Sequence, residues 1–295
     1  MHATILGCGY VGLELGRRLD AAGHDVLGVR RSSAGLDAVR DAGLYAARAD
    51  VTDPDSLAAL PATDWLVFAV SAGRGGADAA REVYRDGLRN AVDAYAESDD
   101  PPERLVYTSS TGVYGDQDGA WVDEETPPAP DSERGEVLLD AERVALERTA
   151  DAGIDGTVAR FGGLYGPDRY RLERYLEGPV TEGYLNSVHR DDAAGAVAYL
   201  LARDLARDEV VLVVDDEPVS KWEFADWLAS QCGVAHPPKQ TVEERLNADD
   251  LSEGAANRLR ANKRCSNDRL RALGYEFAYP TVREGYRQEL DRYCG

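Results

Sequence analysis

The sequence predicts a doubly wound α/β protein, a parallel sheet with helices on both faces, followed by a smaller C-terminal lobe. Two observations carry that prediction. Short apolar runs alternate with amphipathic stretches of ten or more residues through positions 1–160, the signature of successive strand–helix–strand units in a parallel sheet. A Gly-x-Gly-x-x-Gly motif, Gly7-Cys8-Gly9-Tyr10-Val11-Gly12, lies directly between the first apolar run and the first amphipathic one. That is where a nucleotide-binding α/β unit of the Rossmann type makes its tight turn.

In chain order, ATILG forms the first strand, VGLELGRRLDAAG the first helix and HDVLGVRR the second strand. SAGLDAVRDAG and LYAARADV repeat helix and strand, DWLVFAV is the fourth strand, and a helix runs from about Ala77 to Ala96. RLVYTSS supplies the fifth strand, a helix covers about Gly135 to Ala152, and DGTVARF is the sixth strand. After Arg160 the alternation loosens through FGGLYGPDRYRLERYLEGP. It resumes with NSVHRDDAAGAVAYLLARDL and the strand EVVLVVDD, then ends in a mainly helical part from SKWEFADWLASQCG to TVREGYRQEL. The organisation expected is an NAD(P)-binding domain over 1–160 and mostly a substrate-binding lobe over 161–295, with segments returning to the first sheet. SDDPPE and DEETPPAPDSE read as surface loops from their Pro, Asp and Glu content.

The 295 residues are enough to bury a large core. Asp and Glu number 54 against 33 Lys and Arg, a formal net charge of -21, and Lys221, Lys239 and Lys263 are the only lysines. Such a surface repels nucleic acid and anionic membrane, so neither is expected as a partner. The acidity itself reads as a solvated surface, one suited to high salt. No run approaches the roughly 18 consecutive apolar residues of a membrane span. MHATILGCGYVG enters a strand without the layout of an export signal, so a cytoplasmic protein with a small-molecule substrate is expected. Cys8, Cys232, Cys265 and Cys294 contain no CxxC pair, which argues against a zinc knuckle or a disulfide framework. His2, His24, His189 and His236 are equally scattered, and no metal site is expected.

The glycines of the motif permit a tight turn, bring backbone amides to a pyrophosphate and allow close helix packing, while the helix end at Tyr10 and Val11 favours negative charge. The second strand ends in Arg30-Arg31-Ser32, where an acidic residue would hydrogen-bond a ribose 2′-hydroxyl. Paired guanidiniums suit a 2′-phosphate instead, so NADP is the expected cofactor and NAD the alternative. Asp50 and Val51 follow the third strand, placed to receive the adenine amino group, although Asp50 equally suits a cap for the next turn. Ala69, Val70 and Ser71 follow the fourth strand, at the strand ends where open α/β sheets bind ligands.

The glycine loop, ADVTD, LVYTSSTGVYG, VARFGGLYGP, NSVHRDDAAGA and NKRCSNDRLRALGYEFAYPTVREGY together resemble the extended or atypical short-chain dehydrogenase/reductase superfamily in its NAD-dependent epimerase/dehydratase branch. They span nearly the whole chain in the family's order. The resemblance implies a catalytic Ser or Thr, Tyr and Lys beside the nicotinamide: Tyr as general acid/base, Lys lowering its pKa and holding the ribose, Ser orienting the substrate oxygen. Ser110 falls on the serine position, flanked by Ser109 toward the cofactor and Thr111 toward the substrate. The Tyr-x-x-x-Lys pair has no counterpart. Arg134 and Leu138 stand on its two positions, and none of the three lysines lies four residues after a tyrosine. Arginine is no proton shuttle near neutral pH, and leucine cannot bind ribose hydroxyls.

Three accounts of that gap follow. Another acid/base replaces the tyrosine, with Tyr114, Tyr165 and Tyr84 as candidates; the protein binds NADP without turnover; or the cofactor supplies most of the catalysis while Ser110 and Arg134 position a charged substrate. The competing reading of each tyrosine is a packed aromatic whose hydroxyl is satisfied. Tyr84, Thr111, Tyr165, Asn186 and His189 are candidate substrate contacts, His189 alternatively pinned to Asp191 or Asp192. Lys263 and Arg264 either meet a substrate phosphate or form surface ion pairs. The leading expectation is an NADP-dependent oxidoreductase or epimerase acting on a sugar or sugar-nucleotide-like substrate; its alternative is a catalytically silent NADP(H)-binding sensor or scaffold. The resemblance further implies a homodimer through long helices.

Overall fold

The computed structural model describes residues 1–73, 75–248 and 251–294. Seven strands form the central sheet: β1 (His2–Leu6), β2 (Asp25–Arg30), β3 (Tyr45–Arg48), β4 (Trp65–Phe68), β5 (Arg104–Ser110), β6 (Asp155–Phe161) and β7 (Glu209–Val213). Their order is β7-β6-β5-β4-β1-β2-β3. β1 pairs parallel with both β2 and β4, β2 with β3, and β4 with β5. The order therefore reverses at β1, the switch point at which doubly wound sheets open a crevice for a ligand. All of β4 and the first four residues of β5 are buried, which is why they read as unbroken apolar runs: helices cover both faces of the sheet.

Helix α1 (Tyr10–Ala21) buries Val11, Gly12, Leu15, Gly16 and Leu19 along one stripe. Helix α2 (Ser33–Asp41) is capped by Ser32, whose Oγ accepts from the Gly35 amide at 3.2 Å. The helix expected near Ala77 to Ala96 begins as Ala77–Ala80, passes through a π-helical turn at Arg81–Asp86 and continues as α3 (Gly87–Ala96). The next long helix likewise runs from α4 (Glu133–Arg143) into a π-helical turn at Val144–Arg148. Apolar spacing reports a helix but not such a widened turn, because one extra residue barely alters the stripe.

The chain divides into two compact units. The first comprises Met1–Ser110, Glu133–Arg160 and Ala193–Val211; the second comprises Thr111–Ser132, Phe161–Asp192 and the chain from Leu212 onward. In the first, Leu66, Phe68, Leu88, Leu105 and Tyr107 lie at the centre of the core. Helix α5 (Arg190–Ala202) begins in the second unit and ends in the first. The second has its own core, in which Tyr165, Phe224, Leu228 and Tyr286 join α6 (Lys221–Cys232) and α7 (Val282–Cys294). Tyr165 stacks on Tyr286 at 5.4 Å between ring centres. A side chain at Gly285 would strike Tyr165.

One expectation is corrected here. Cysteine spacing argued against disulfides, yet Cys232 and Cys294 are joined. They end α6 and α7, which lie side by side and bring the two Cα atoms to 5.1 Å, within reach of a disulfide. Spacing alone cannot reveal helices that meet across 62 residues. Cys8 and Cys265 are free and buried. No helix among the described residues is long and apolar enough to cross a membrane.

Candidate functional site

After β1 the chain turns at Gly7 with φ +79°, and a Cβ there would lie 2.5 Å from the Val70 backbone. A Cβ on Gly9 would lie 2.5 Å from the Arg30 guanidinium, and one on Gly12 would lie 3.1 Å from Ile5. The Gly7 and Cys8 amides both donate to the Val29 carbonyl at 3.2 Å, fastening the loop to β2. Helix α1 has no side-chain cap and no acidic residue in its first turn. Its leading amides and the positive end of its dipole are thus not claimed by side chains of the helix itself. Burial pushes the Cys8 thiol up to about 12, so it stays neutral and unreactive.

Three guanidiniums gather where β2 ends. Arg30 lies against Gly9, and the β2–β3 register places Arg48 directly opposite it. Arg48 donates to the Arg31 carbonyl at 2.7 Å and to Ser33 Oγ at 2.9 Å. Arg31 is 71% exposed and 3.8 Å from the Asp50 carboxylate. The sequence reading missed Arg48; its signal was an arginine closing the third strand, recognisable once the two strands are in register. Asp50 caps its turn, its Oδ1 accepting from the Thr52 amide and hydroxyl. Val51 is buried, and its carbonyl accepts from Asn90. The Ala69 amide donates to Leu6 at 2.8 Å, Val70 closes over Gly7, and Ser71 Oγ accepts from the Gly73 amide. A loop with no room for side chains, an uncapped helix and three cations form a set that fits a dinucleotide.

At the end of β5, Ser110 is half-buried while Ser109 is buried and donates to Glu142 Oε1 at 2.6 Å. Arg160 grips the same carboxylate through Nε at 3.0 Å and Nη2 at 2.6 Å. Arg134, Leu138 and Glu142 follow one another at four-residue steps and share one face of α4. Leu138 packs on the core. Arg134 Nη2 donates to the Tyr84 hydroxyl at 2.8 Å, and the guanidinium also reaches the Gly73 and Gly75 carbonyls at 3.4 and 3.3 Å. Its Cζ stands 5.2 Å above the Tyr84 ring, a cation–π contact. The Tyr84 oxygen accepts from the Ala72 amide as well, at 3.2 Å. One phenol, 8% exposed, thereby ties α4 to the π-helical turn and to the loop after β4. Neither Glu142 nor Arg160 was singled out from the sequence, since nothing marks two charges 18 residues apart as a buried pair.

The remaining candidates belong to the second unit. Thr111 opens a 3₁₀ turn and is buried beside the Cys265 thiol. Tyr114 is fully buried and donates to the Asp123 carbonyl at 2.5 Å. The Tyr165 hydroxyl donates to Thr281 at 3.4 Å, and burial, helped by nearby Asp215, pushes it well above the usual tyrosine value. Asn186 donates to the Lys263 carbonyl at 2.9 Å and accepts from the Cys265 amide at 2.6 Å. Buried His189 accepts the Asp191 amide at Nδ1, with its Nε2 3.3 Å from the Tyr170 hydroxyl. Asp192 instead accepts from the Ala278 and Tyr279 amides.

The sheet order and the glycine loop define the class of Rossmann dinucleotide-binding proteins. Residues 3–212 match the NAD dependent epimerase/dehydratase family, and the chain belongs to that family. It is 30% identical over 285 residues to Protein YeeZ of Escherichia coli strain K12, covering 94% of this chain and 96% of that one. It is 27% identical over 273 residues to 2'-dehydrokanamycin reductase of Streptomyces kanamyceticus, covering 84% and 72% respectively. Among solved structures, a Methylobacillus flagellatus protein described as a candidate NAD-dependent epimerase/dehydratase superposes with a TM-score of 0.79. The two share 34% identity over 99% of this chain and 98% of that one.

Proposed function

We propose that this protein is an NADP-dependent oxidoreductase or epimerase acting on a sugar or sugar-nucleotide-like substrate, with Tyr84 and Arg134 in place of the family's usual tyrosine and lysine. The observation that carries the reading is the 2.8 Å bond from Arg134 to the Tyr84 hydroxyl. That oxygen accepts from two N–H groups, so its own proton is directed at neither and is available to a substrate oxygen. Arg134 then stabilises the phenolate left behind, and Ser110 orients the same substrate oxygen. Tyr114 and Tyr165 suit the role less, because each spends its proton on a backbone carbonyl. The nicotinamide, when bound, supplies or accepts the hydride. Arg30, Arg31 and Arg48 would hold a 2′-phosphate, which favours NADP over NAD. A relative named 2'-dehydrokanamycin reductase supports a sugar-type substrate.

The test is in two parts. NADPH should quench protein fluorescence at lower concentration than NADH, and the Arg30→Glu/Arg31→Glu variant should reverse that order. Loss of two charge-assisted contacts predicts a swing of about tenfold or more. Absorbance at 340 nm with NADP⁺ and a panel of sugars, sugar phosphates and nucleotide sugars, at low and high salt, reads turnover directly; product analysis covers redox-neutral epimerisation. Tight cofactor binding with neither redox change nor epimer would reject the enzyme reading and leave the silent binder.

A further inference from the structure

The two long helices of the second unit are not anchored alike at their ends. Helix α6 closes on Gly233, which adopts φ +65°; its amide donates to the Ser230 carbonyl at 3.3 Å and the Val234 amide to the Ala229 carbonyl at 3.0 Å. That left-handed cap needs no side chain. Helix α7 opens on Thr281, whose Oγ1 accepts from the Glu284 amide at 3.2 Å, and it buries Val282, Gly285, Tyr286 and Leu290. Beyond Leu290, the residues Asp291, Arg292, Tyr293 and Cys294 are all exposed. Arg292 pairs with Glu289, on the same helix. Among the described residues, no hydrogen bond or ion pair joins this last turn to another element; the bond from Cys294 to Cys232 does so alone.

That bond is open to solvent at one end. Cys294 is exposed and Cys232 half-buried, whereas the two free thiols, Cys8 and Cys265, are each 1% exposed. A thiol arriving from solvent therefore meets the Cys294 sulfur first. The core beneath does not depend on the bond. Tyr286 stands 5.1 Å from both Phe224 and Tyr170 between ring centres and 5.4 Å from Tyr165, and its hydroxyl accepts from the Arg171 amide at 3.2 Å. Cutting the bond leaves these contacts in place and removes the one restraint on the end of α7, the condition for local opening without global unfolding.

We propose that Cys232–Cys294 is a reversible redox latch, opened in the folded protein by a low-molecular-weight thiol such as glutathione. The thiolate attacks Cys294 Sγ, the Cys232–Cys294 bond breaks, and Cys232 leaves as a thiolate that takes up a proton. A second thiol attacks the mixed disulfide, releasing Cys294 as a thiol and leaving the reductant as its own disulfide; the reverse steps close the latch. Opening frees the last turn of α7 and loosens the seat of Tyr286, and with it the ring stack that holds Tyr165. Tyr165 and His189 lie 5.3 Å apart between ring centres, and both are candidate substrate contacts. In the setting of the proposed function, on which the latch itself does not rest, its state would tune how the second unit holds a ligand.

The test uses the whole chain without denaturant. After exposure to glutathione buffers of graded ratio, thiols are blocked with iodoacetamide and located by peptide mass spectrometry. Cys294 and Cys232 should become labelled while Cys8 and Cys265 stay protected and the far-ultraviolet circular dichroism holds; glutathione disulfide should restore the bond. Amide exchange along 285–294 should then rise about tenfold or more, within the roughly thousandfold limit that the chain-entropy estimate sets for a 62-residue loop. Exchange along 224–229 should stay within a few-fold. Cys294→Ser should show the exchange pattern of the reduced parent with no thiol added. A bond that opens only in urea would be a permanent staple and would overturn the proposal. So would labelling of Cys265 along with the pair, which would mean that the second unit unfolds on reduction, or unchanged exchange along α7. None of these readouts uses the cofactor or turnover, so failure of the enzyme reading leaves them as they stand.

Discussion

Removing the Glu142 carboxylate should cost a large share of this protein's stability. The carboxylate accepts from Ser109 at 2.6 Å and from Arg160 at 3.0 and 2.6 Å, and the two charged side chains are 3% and 4% exposed. Glu142→Ala takes the carboxylate from a buried guanidinium, worth about 3–5 kcal/mol, and leaves Ser109 without this acceptor, adding about 1 kcal/mol. Against a typical total of roughly 5–15 kcal/mol, the variant should unfold at distinctly lower urea. With a slope of about 2 kcal/mol per molar, the midpoint should fall by roughly 2 M. The double variant Glu142→Leu/Arg160→Met removes both charges and should recover most of the loss. Far-ultraviolet circular dichroism across a urea series measures all three proteins. A single variant within about 1 kcal/mol of the parent, or a double variant no more stable than Glu142→Ala, would refute the reasoning.

Other outcomes follow from the same geometry. Tyr84→Phe should lower kcat about a hundredfold or more while NADPH affinity stays within a few-fold, since general acid–base catalysis is worth about 10²–10⁴; unchanged turnover assigns the proton elsewhere. Burial outweighs the pull of the Glu217 amide and holds the Asp215 pKa well above 3.8. Its contribution is thus complete below the ordinary carboxylate pKa and is lost as pH rises toward the folded value. Asp215→Asn should therefore raise the melting temperature at neutral pH and have little effect near pH 3.5, read by scanning fluorimetry across pH. Opening the Cys232–Cys294 bond releases a 62-residue loop, worth about 4 kcal/mol on the chain-entropy estimate. Dithiothreitol should lower the melting temperature of the parent and leave Cys232→Ser unaffected.

Much of the first unit could be read from the sequence because its signals are local. A glycine motif between a strand and a helix needs no distant information, and Arg30 could be placed at the end of β2 by counting. The relations that define the candidate site are of another kind. Arg134 meets Tyr84 across 50 residues, through a π-helical turn that apolar periodicity does not register. Glu142 and Arg160 look like ordinary surface charges until α4 is laid on the sheet. The same limit hid the Cys232–Cys294 bond, which depends on which helices come to lie side by side. The sequence could show that no tyrosine stands four residues before any of its three lysines. It could not show that Arg134 points to a tyrosine supplied by another helix.

The β2–β3 register has a consequence for the edge of the sheet. Arg30 and Arg48 stand opposite one another on adjacent strands, with the Arg30 guanidinium against Gly9 and that of Arg48 on the Arg31 carbonyl and Ser33 Oγ, so two like charges are carried at the edge of the sheet. A dianion between them would turn repulsion into attraction. A ligand held by both would tie the outer strand to its neighbour. By mass action, a ligand at a hundred times its Kd adds about 2.7 kcal/mol to stability. Amide exchange along Tyr45–Arg48 would report whether an anion binds at this edge.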